Sequence, residues 1–476
     1  MHLIKQLEII SRQLDPTEDE RLSILNRSIE YSNEYLNMLT QLPGFSSINF
    51  HSLPSMQIQE ESKPIESILE VLKTEVDASG INGASGRHLG FIPGGGLWSS
   101  SVADMLADTT NKYTGIAFSG PGSVKMENQV IRWMADMVGY PSTAHGNLTS
   151  GGSVANLTAI KAARDFHGIN STNVKKAVIY YGAQTHHSVY KALNITGLYE
   201  AVLRQIPVTN RFQLNTSELQ HQIAKDREEA LVPFLVVASA GTTDTGAIDP
   251  LDKIADICNE NQMWYHVDAA YGGFFMLVDE KRKELRGIER SDSVTLDPHK
   301  TLFLPFGSGA VLVRDANYLL ASYSSHATYL ADTHGFDDIS PADTGIELTR
   351  PNRGLRMWLP LQLHGLAPFK ASLQEKLLLT KYFYDEIQKL GFEVGPFPDL
   401  TVTVFRYPSD EDNSINQAII KAVHADGRVF LSSTTIKGKL WLRCAIVSHR
   451  THLWEIDLTL QMIKELLSHV YPNKGT

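Results

Sequence analysis

One lysine in the sequence stands where an amine nucleophile would be useful. Lys300 follows a short apolar run in the segment 293–313 (SVTLDPHKTLFLPFGSGAVLV) and is flanked by apolar residues. A lysine amine that is partly withdrawn from water can attack an aldehyde and form a Schiff base with it. A solvated lysine in a surface loop is the alternative interpretation, and this segment alone does not decide between the two.

An aspartate occupies the end of a second segment of interest. Residues 264–275 (WYHVDAAYGGFF) are typical of an apolar strand that carries Asp268 at its carboxyl end, followed by small residues that permit close approach. A buried carboxylate of this kind can hold the protonated pyridine nitrogen of a cofactor. The alternative is a strand-end aspartate that accepts hydrogen bonds from backbone amides.

Glycines open a predicted helix in the segment 147–165 (NLTSGGSVANLTAIKAARD). The free amides and the dipole at the amino end of a helix suit a phosphate group. The segment is neither a Walker A loop, since no Gly-Lys-Ser/Thr follows, nor a Gly-x-Gly-x-x-Gly fingerprint. A tight turn without a ligand is the alternative.

Two adjacent histidines, His186 and His187, follow a predicted strand in the segment 180–192 (YYGAQTHHSVYKA). Neighbouring helical residues point about 100° apart, so the pair rarely supplies two ligands to one zinc ion, and no third ligand lies at zincin spacing. A capping or core histidine is one interpretation. The other is an imidazole that stacks on a flat cofactor ring.

Together these four segments match the needs of one cofactor. A phosphate cradle at 149–153, a stacking His186, a carboxylate at Asp268 and a Schiff-base Lys300 are what pyridoxal 5'-phosphate requires. In an open α/β sheet such groups gather beyond the carboxyl ends of the strands. The sequence therefore predicts a pyridoxal-phosphate site.

The same residues carry a family resemblance. The motifs HVDAAYGG and DPHK, at this separation, resemble the group II pyridoxal-phosphate-dependent amino acid decarboxylases, which include aromatic-L-amino-acid, histidine and glutamate decarboxylases. The resemblance extends over roughly residues 88–450. It implies the aspartate aminotransferase-like fold type I, and a homodimer whose active sites are shared between the two chains.

The resemblance also implies roles for individual residues. Lys300 corresponds to the Schiff-base lysine, Asp268 to the partner of the pyridinium nitrogen, and His186 to the histidine that stacks on the ring. Asp249 matches a supporting position. Further cofactor contacts are implied for Gly152, Ser153, Thr243 and His299.

A tyrosine bears on the reaction type. The segment 324–330 (SSHATYL) resembles the mobile catalytic loop of the family, with Tyr329 at the place where decarboxylases keep a tyrosine. Members that form aldehydes by oxidative decarboxylation often have phenylalanine there. Tyr329 is therefore interpreted as a catalytic proton donor, and plain decarboxylation is favoured.

The substrate side is assigned by resemblance as well. Phe306 resembles a residue offered across a dimer interface, and Arg443 resembles the arginine that meets the α-carboxylate region of the substrate. The side-chain pocket is expected to include Phe91, Ile92 and Pro93, together with a patch at Ile116 and Phe118 that a partner subunit would lend. Core packing is an alternative for this patch.

The residues of the expected pocket also indicate the class of substrate. Gly94–Gly96 lack side chains, so the run is expected to enlarge the pocket. The region shows no clear polar set for a side-chain carboxylate. An aromatic or bulky apolar L-amino acid is the predicted substrate.

The elements that position these residues alternate between strands and helices, and short apolar runs typical of strands lie at residues 176–181, 234–238, 263–267, 294–296 and 310–313. Residues 1–98 are predicted to form a helical segment that clasps a partner, residues 99–367 a large and mainly parallel doubly wound α/β domain, and residues 368–476 a small α+β domain.

Composition limits the class of protein. The 476 residues are 42% hydrophobic, and 43 basic against 53 acidic residues leave a net charge of −10, which disfavours nucleic acid and anionic membranes as partners. No apolar run reaches the roughly 18 residues of a membrane span. Two cysteines are too few for a disulfide framework and fit the cytoplasm.

Other interpretations stay open at this point. The same fold accommodates an aldehyde synthase or a carbon–carbon lyase, and a catalytically inactive homologue would still bind the cofactor. A zinc hydrolase built around His186 and His187 is the least favoured of these.

Overall fold

The computed structural model describes residues 1–47, 56–324, 338–408 and 411–470, with side chains described to residue 468. Its α-helices are α1 (His2–Ser11), α2 (Glu18–Met38), α3 (Ile65–Val71), α4 (Trp98–Thr110), α5 (Pro121–Val138), α6 (Gly152–Phe166), α7 (His187–Ile195), α8 (Thr216–Glu228), α9 (Leu251–Asn261), α10 (Asp279–Glu284), α11 (Pro298–Thr301), α12 (Ala316–Tyr323), α13 (Arg353–His364), α14 (Ala367–Lys389), α15 (Ser414–Asp426) and α16 (Leu453–Val470).

The strands form three sheets. They are β1 (Phe45–Ser46), β2 (Gly80–Ile81), β3 (His145–Thr149), β4 (Ala177–Gly182), β5 (Val202–Ile206), β6 (Val232–Ser239), β7 (Trp264–Asp268), β8 (Ser293–Leu296), β9 (Gly309–Val313), β10 (Glu393–Val394), β11 (Val402–Arg406), β12 (Ser432–Ile436) and β13 (Lys439–Ala445).

The large sheet has the order β3-β9-β8-β7-β6-β4-β5. Strands β4 to β8 pair in parallel, and β9 is antiparallel to both of its neighbours. The predicted mainly parallel, doubly wound sheet is thus confirmed. Strands β3 and β5, at its two edges, did not stand out in the sequence.

Both faces of this sheet are covered because its strands are apolar on both sides. Along β4, Val178 and Tyr180 join a core with α5, α8 and α9, whereas Ile179 and Tyr181 join a second core with α6 and α7. This division follows the period of two along a strand. It anchors α6 on the sheet, so the amino end of α6 lies beside the carboxyl ends of the strands.

The chain on either side of the large sheet is built differently. The antiparallel sheet β10-β11-β13-β12 packs against α14, α15 and α16 around Phe383, Phe405 and Leu442. At the other end of the chain, α2 begins with a capping box between Thr17 and Glu20. These elements confirm the helical amino-terminal segment and the small α+β unit, while the residue boundaries given above stay predictions.

Helix α1 and helix α2 have no buried residue. None of the helices in the described ranges is long and apolar enough to cross a membrane.

Candidate active site

A cavity of about 340 Å³ lies at the carboxyl ends of β4, β6, β7 and β8 and the amino end of α6. Parallel strands deliver their ends to one edge of a sheet, so residues far apart in sequence meet here. The predicted cofactor residues that line the cavity are Gly152, Ser153, His186, Thr243, Asp268, His299 and Lys300.

The floor of the cavity at α6 is shaped by glycine. A Cβ on Gly152 would lie 2.8 Å from Oδ2 of Asp297, and a Cβ on Gly309 would lie 2.5 Å from the backbone of Gly151. The helical hydrogen bonds to Gly151 begin with Val154, so the preceding amides of α6 are outside the helical ladder. Such amides suit an anion at this end of the cavity.

Asp268 is buried at the end of β7. Its Oδ1 accepts the backbone N–H of Ala270 at 3.2 Å, and its Oδ2 accepts Nδ2–H of Asn156 at 2.9 Å. Donors on both oxygens hold the carboxylate in one orientation. The side chain can therefore face a cationic ring nitrogen from a fixed position.

His186 caps the amino end of α7. Its Nδ1 accepts the backbone N–H of Ser188 at 3.3 Å and lies 2.8 Å from the Ser188 hydroxyl. Burial is the largest cause that lowers the pKa of His186, so the ring is neutral near pH 7. The rings of His186 and His187 are 4.1 Å apart and tilted by 48°.

Lys300 lies on α11, directly after β8. Its Nζ is 2.9 Å from Oδ2 of Asp297, a buried carboxylate that also lines the cavity. Oδ1 of Asp297 has no hydrogen-bond partner among the described residues. Next to the lysine, His299 donates through Nδ1 to the carbonyl of Ser308, and burial lowers the pKa of its ring.

Asp249 does not line the cavity but supports its wall. Its oxygens accept the backbone N–H groups of Leu214 and Ser239, each at 2.7 Å. Burial raises the pKa of this carboxyl to about 6. These bonds fix the end of β6, from which the loop that carries Thr243 departs.

The substrate side is less concentrated than the cofactor side. Phe306 lies beside His299, with 6.0 Å between the ring centroids. It lines a second, largely apolar cavity of about 290 Å³ that shares His299 with the first cavity and also includes Trp98 and Arg450. The other predicted pocket residues, Phe91, Ile92, Pro93, Ile116 and Phe118, line neither cavity.

Arg443 adjoins the site, but most of its hydrogen bonds go to carbonyls of the main chain. Its guanidinium donates to the carbonyls of Thr243, Asp244 and Gly90 and to the hydroxyl of Ser432. The side chain is buried. In this structure Arg443 joins the small sheet to the loop after β6, and its contact with a substrate carboxylate stays a prediction.

The effect of the glycine run Gly94–Gly96 on the size of the pocket stays a prediction, while the structure shows how closely each of these glycines is packed. A Cβ on Gly94 would lie 2.2 Å from the carbonyl oxygen of His299, and one on Gly95 would lie 2.4 Å from the Ser448 hydroxyl. Gly94 and Gly95 thus permit close packing of the chain. A Cβ on Gly96 would make only an ordinary contact, 3.9 Å from Cα of Pro305, and both Gly95 and Gly96 line the second cavity.

Comparisons with known proteins decide the family. Residues 49–408 match the family model of the pyridoxal-dependent decarboxylase conserved domain. An aromatic-L-amino-acid decarboxylase of Bacillus atrophaeus is 32% identical and covers 97% of this chain and 98% of its own. The chain belongs to the pyridoxal-dependent decarboxylase family. A phenylacetaldehyde synthase of Arabidopsis thaliana is 26% identical over 96% of this chain and 98% of its own.

The fold of this decarboxylase agrees with solved structures. The crystal structure of Oryza sativa TDC with PLP and tryptamine superposes with a TM-score of 0.90 at 24% identity, covering 96% of this chain and 99% of that chain. The predicted fold type I is confirmed. The protein is a pyridoxal-phosphate-dependent amino acid decarboxylase, and the predicted cofactor and reaction class are confirmed with it.

The cavity of the decarboxylase fits this cofactor. Its volume is in the range of small-molecule sites, and a Cβ at Gly152 would fill the cradle at α6. A buried carboxylate at Asp268, a neutral imidazole at His186 and an amine at Lys300 complete the donor and acceptor set that the cofactor needs.

Other cavity residues of the decarboxylase were missed in the sequence. They include Asn156, Gln184, Ser188, Thr242 and Asp297. Asp297 had a signal, since it stands three residues before Lys300 in the DPHK motif. Asn156 had none, because an asparagine in a helical pattern indicates an exposed position. The predicted Tyr329 lies outside the described residues.

Proposed function

We propose that this decarboxylase acts on an aromatic L-amino acid and releases the corresponding amine and CO₂. The observation that carries the proposal is the apolar cavity that adjoins the cofactor cavity at His299 and is lined by Phe306 and Trp98. An aromatic side chain is complementary to such a lining.

The charge within this second cavity supports the same substrate class. The arginine that lines it, Arg450, already donates to the carbonyls of Ala84, Gly95 and Gly96. Burial is the largest cause that lowers the pKa of Arg450. An arginine engaged in this way is poorly placed to pair with the side-chain carboxylate of glutamate or aspartate. The relatives named for aromatic-L-amino-acid, tyrosine and tryptophan decarboxylation agree with this assignment.

The positions of the cavity residues support the following roles. Bound pyridoxal phosphate supplies an electron sink for the electron pair that departing CO₂ leaves behind. We assign Lys300 as the amine that attaches the cofactor, Asp268 as the carboxylate that keeps the ring nitrogen protonated, and His186 as the imidazole that packs against the ring. The amides at Gly152 and Ser153 would hold the phosphate, and Thr243 and His299 would complete the wall.

Proton return to the substrate carbon is assigned to Tyr329 on sequence grounds alone. A tyrosine hydroxyl can protonate carbon in place of water, which favours the amine product. The expectation that Tyr329→Phe diverts the product to an aldehyde tests this role directly.

A homodimer is part of the proposal. Helix α1 carries Leu3, Ile4, Leu7 and Ile10, all exposed, and none of its residues is buried within the chain. Helices with an uncovered apolar face bury it against another surface. A second copy of this chain is the proposed cover, with the exposed Phe118 lent to the partner's site, whereas Ile116 is buried within its own chain. We also place the protein in the cytoplasm, because both cysteines are free and buried.

Aldehyde formation is the second candidate, favoured by the similarity to phenylacetaldehyde synthases. One product assay separates the two. The purified protein, supplied with pyridoxal phosphate, is given tryptophan, tyrosine, phenylalanine, glutamate and aspartate separately, and amines, aldehydes, oxygen uptake and peroxide are measured.

An amine from an aromatic substrate without oxygen uptake is the expected result. Aldehyde with oxygen consumed and peroxide formed would establish the second candidate. Turnover of glutamate or aspartate but of no aromatic amino acid would overturn the substrate assignment.

A further inference from the structure

Asn156 lies on α6, one turn after Gly152, at the junction between the cofactor cavity and the sheet behind it. Its side chain is 1% exposed. It makes four hydrogen bonds, to Asp268, Ser188, His266 and Thr295. An asparagine amide has two N–H donors and two acceptor positions on its oxygen, so the hydrogen-bonding capacity of this residue is filled.

The partners fix the orientation of the amide. Oδ1 accepts the Thr295 hydroxyl at 2.7 Å, and Nδ2 donates to Oδ2 of Asp268 at 2.9 Å. The reverse orientation would set the amide oxygen against a carboxylate, which offers no proton. Asn156 therefore presents donors to the cavity and its acceptor to the sheet.

The same logic fixes the tautomer of His266 behind it. Because Oδ1 of Asn156 only accepts, Nε2 of His266, 3.0 Å away, carries the proton. Burial lowers the pKa of His266 to about 4, so the ring is neutral and Nδ1 accepts from the Ser293 hydroxyl at 2.8 Å. That hydroxyl accepts Nε1–H of Trp264 at 2.9 Å in turn. A chain of donors thus runs from the interior of the sheet to Asn156.

On the cavity side, the amide reaches the stacking histidine through one serine. The Ser188 hydroxyl accepts Nδ2–H of Asn156 at 3.0 Å, so its own proton is directed to Nδ1 of His186 at 2.8 Å. The Ser188 backbone N–H also points to Nδ1. The neutral His186 ring then carries its proton on Nε2.

We propose that Asn156 is a positioning residue that sets the Asp268 carboxylate and the His186 imidazole at the same time. The inference rests on the proposed roles of those two residues and adds the group that couples them. A single amide bonds the Asp268 carboxylate directly and reaches the His186 ring through Ser188, so the relative position of these two groups depends on one side chain. Its loss would loosen both contacts to the cofactor ring together.

The test is Asn156→Ala, measured first without any amino acid substrate. Hydrogen bonds to charged groups contribute enough that we expect pyridoxal phosphate to bind about 10- to 100-fold more weakly. We also expect the visible circular dichroism of the bound cofactor to change, because the ring is no longer held at one angle. In turnover, kcat should fall more than KM rises.

Two controls separate positioning from loss of stability. Asn416→Ala removes a buried amide that bonds the backbone of Tyr407, far from the cavity, and should lower the melting temperature without changing cofactor affinity or dichroism. Thr295→Val removes one bond behind Asn156 but keeps both cavity-facing bonds, so its loss of cofactor affinity should be clearly smaller than that of Asn156→Ala.

Wild-type affinity and dichroism in Asn156→Ala, with only a lower melting temperature, would overturn the inference. If that variant does not fold, Ser188→Ala removes the branch to His186 alone, and we expect about three- to tenfold weaker binding. An unchanged affinity and dichroism there would equally overturn it.

Asp268→Asn keeps this test separate from the proposed function. Unchanged cofactor binding in Asp268→Asn would contradict the assigned role of Asp268, and the inference would fall with it. Weakened binding in Asp268→Asn beside wild-type binding in Asn156→Ala would leave the function standing and overturn the positioning inference alone.

Discussion

The cofactor side and the substrate side of this site are built in different ways. On the cofactor side, the predicted ligands line one cavity, and the network behind Asp268 and His186 is hydrogen-bonded within a single chain. On the substrate side, three phenylalanines are more than half exposed: Phe91 at 52%, Phe118 at 51% and Phe306 at 64%. Aromatic rings lose much of their binding value while water covers them.

This difference indicates that a single chain can complete the cofactor side of the site but not the substrate side. A phosphate and a pyridine ring are the same for every member of the family, so a preformed set of strand ends can hold them. The surface that selects a side chain is left open in one chain. We infer that a second chain finishes it, and the following experiments challenge that division.

The largest expected effect belongs to the cofactor side. Lys300→Ala should lower kcat by at least about 1,000-fold, because Lys300 is the one lysine among the described residues that line the cavity. The variant should also release pyridoxal phosphate on dialysis, which visible absorbance measures. Lys281→Ala is the matched control, since Lys281 is buried against Glu284 away from the site. Retained turnover in Lys300→Ala would contradict the assignment.

Two buried histidines, one on each side of the site, should make the stability of the protein depend on pH. Burial lowers the pKa of both His88, near Phe91, and His266, behind the cofactor cavity, to about 4. A histidine whose pKa is lowered by folding contributes stability above pH 6.5, and this contribution is lost as the pH falls towards 4. Burial also raises the pKa of Asp249 and Asp292 to about 6, which acts in the opposite direction over the same window.

The histidines differ in their partners, which gives a test. Both ring nitrogens of His88 lack a hydrogen bond among the described residues, whereas both nitrogens of His266 are bonded. His88→Phe should therefore remove about 3 kcal/mol of acid-induced destabilisation between pH 6.5 and 4 without breaking a hydrogen bond. Unfolding midpoints of the apoprotein against pH measure this. A pH profile identical to that of the wild type would contradict this prediction, because it would mean that protonation of His88 does not lower the free energy of unfolding.

A smaller effect is expected on the substrate side. Phe306→Ala should raise KM for the aromatic substrate by about tenfold, because a fully buried phenylalanine contributes about 1.5 to 3 kcal/mol and a bound substrate would cover only part of this ring, which is exposed in one chain. Affinity for pyridoxal phosphate should stay unchanged, since Phe306 does not line the cofactor cavity. A loss of cofactor affinity would break the separation of the two sides.

Mixing two damaged chains tests whether the partner completes the site. Lys300→Ala and Phe118→Ala are combined, unfolded and refolded together, so that about half of the dimers contain one chain of each kind. If Phe118 acts in the partner's site, each mixed dimer contains one intact site, with Lys300 from one chain and Phe118 from the other. Activity at low substrate concentration above that of the unmixed variants is expected. Simple additivity would place Phe118 in its own chain's site or in none.

The sequence revealed the cofactor side because its residues are rare in type and stand at strand ends. Apolar runs predicted β4 and β6 to β9, which are buried on both faces. Strands β3 and β5 lie at the edges of the sheet and read HGNLT and VLRQI, so their polar residues hid them. A hydrophobic pattern reports burial, and an edge strand is where burial is least regular.

The parts that escaped prediction depend on contacts between distant segments. Asn156 is recognisable only when Asp268, His266 and Thr295 are placed around it, and these come from two neighbouring strands. The hydrogen bonds of Arg443 to carbonyls of the main chain were likewise not indicated by the sequence, and its contact with a substrate carboxylate stays a prediction. The hydrogen bonds that an amide or a guanidinium makes to residues far away in the sequence cannot be recognised from a local sequence pattern.

The glycine run gives the smallest effect and a final check on how the two sides join. Gly94 packs on the carbonyl of His299, next to Lys300, whereas a Cβ on Gly96 would make only an ordinary contact with Pro305, and the φ of Gly96 is +69°. Gly96→Ala should therefore lower the free energy of unfolding by about 1 kcal/mol through backbone strain, with cofactor affinity unchanged, because Gly96 lines the second cavity and not the cofactor cavity. Gly94→Ala, with a Cβ 2.2 Å from that carbonyl, should displace α11 and weaken cofactor binding as well. Equal effects of the two variants on cofactor affinity would contradict this prediction. They would mean that the close packing of Gly94 on His299 does not distinguish it from Gly96 in its effect on the cofactor side.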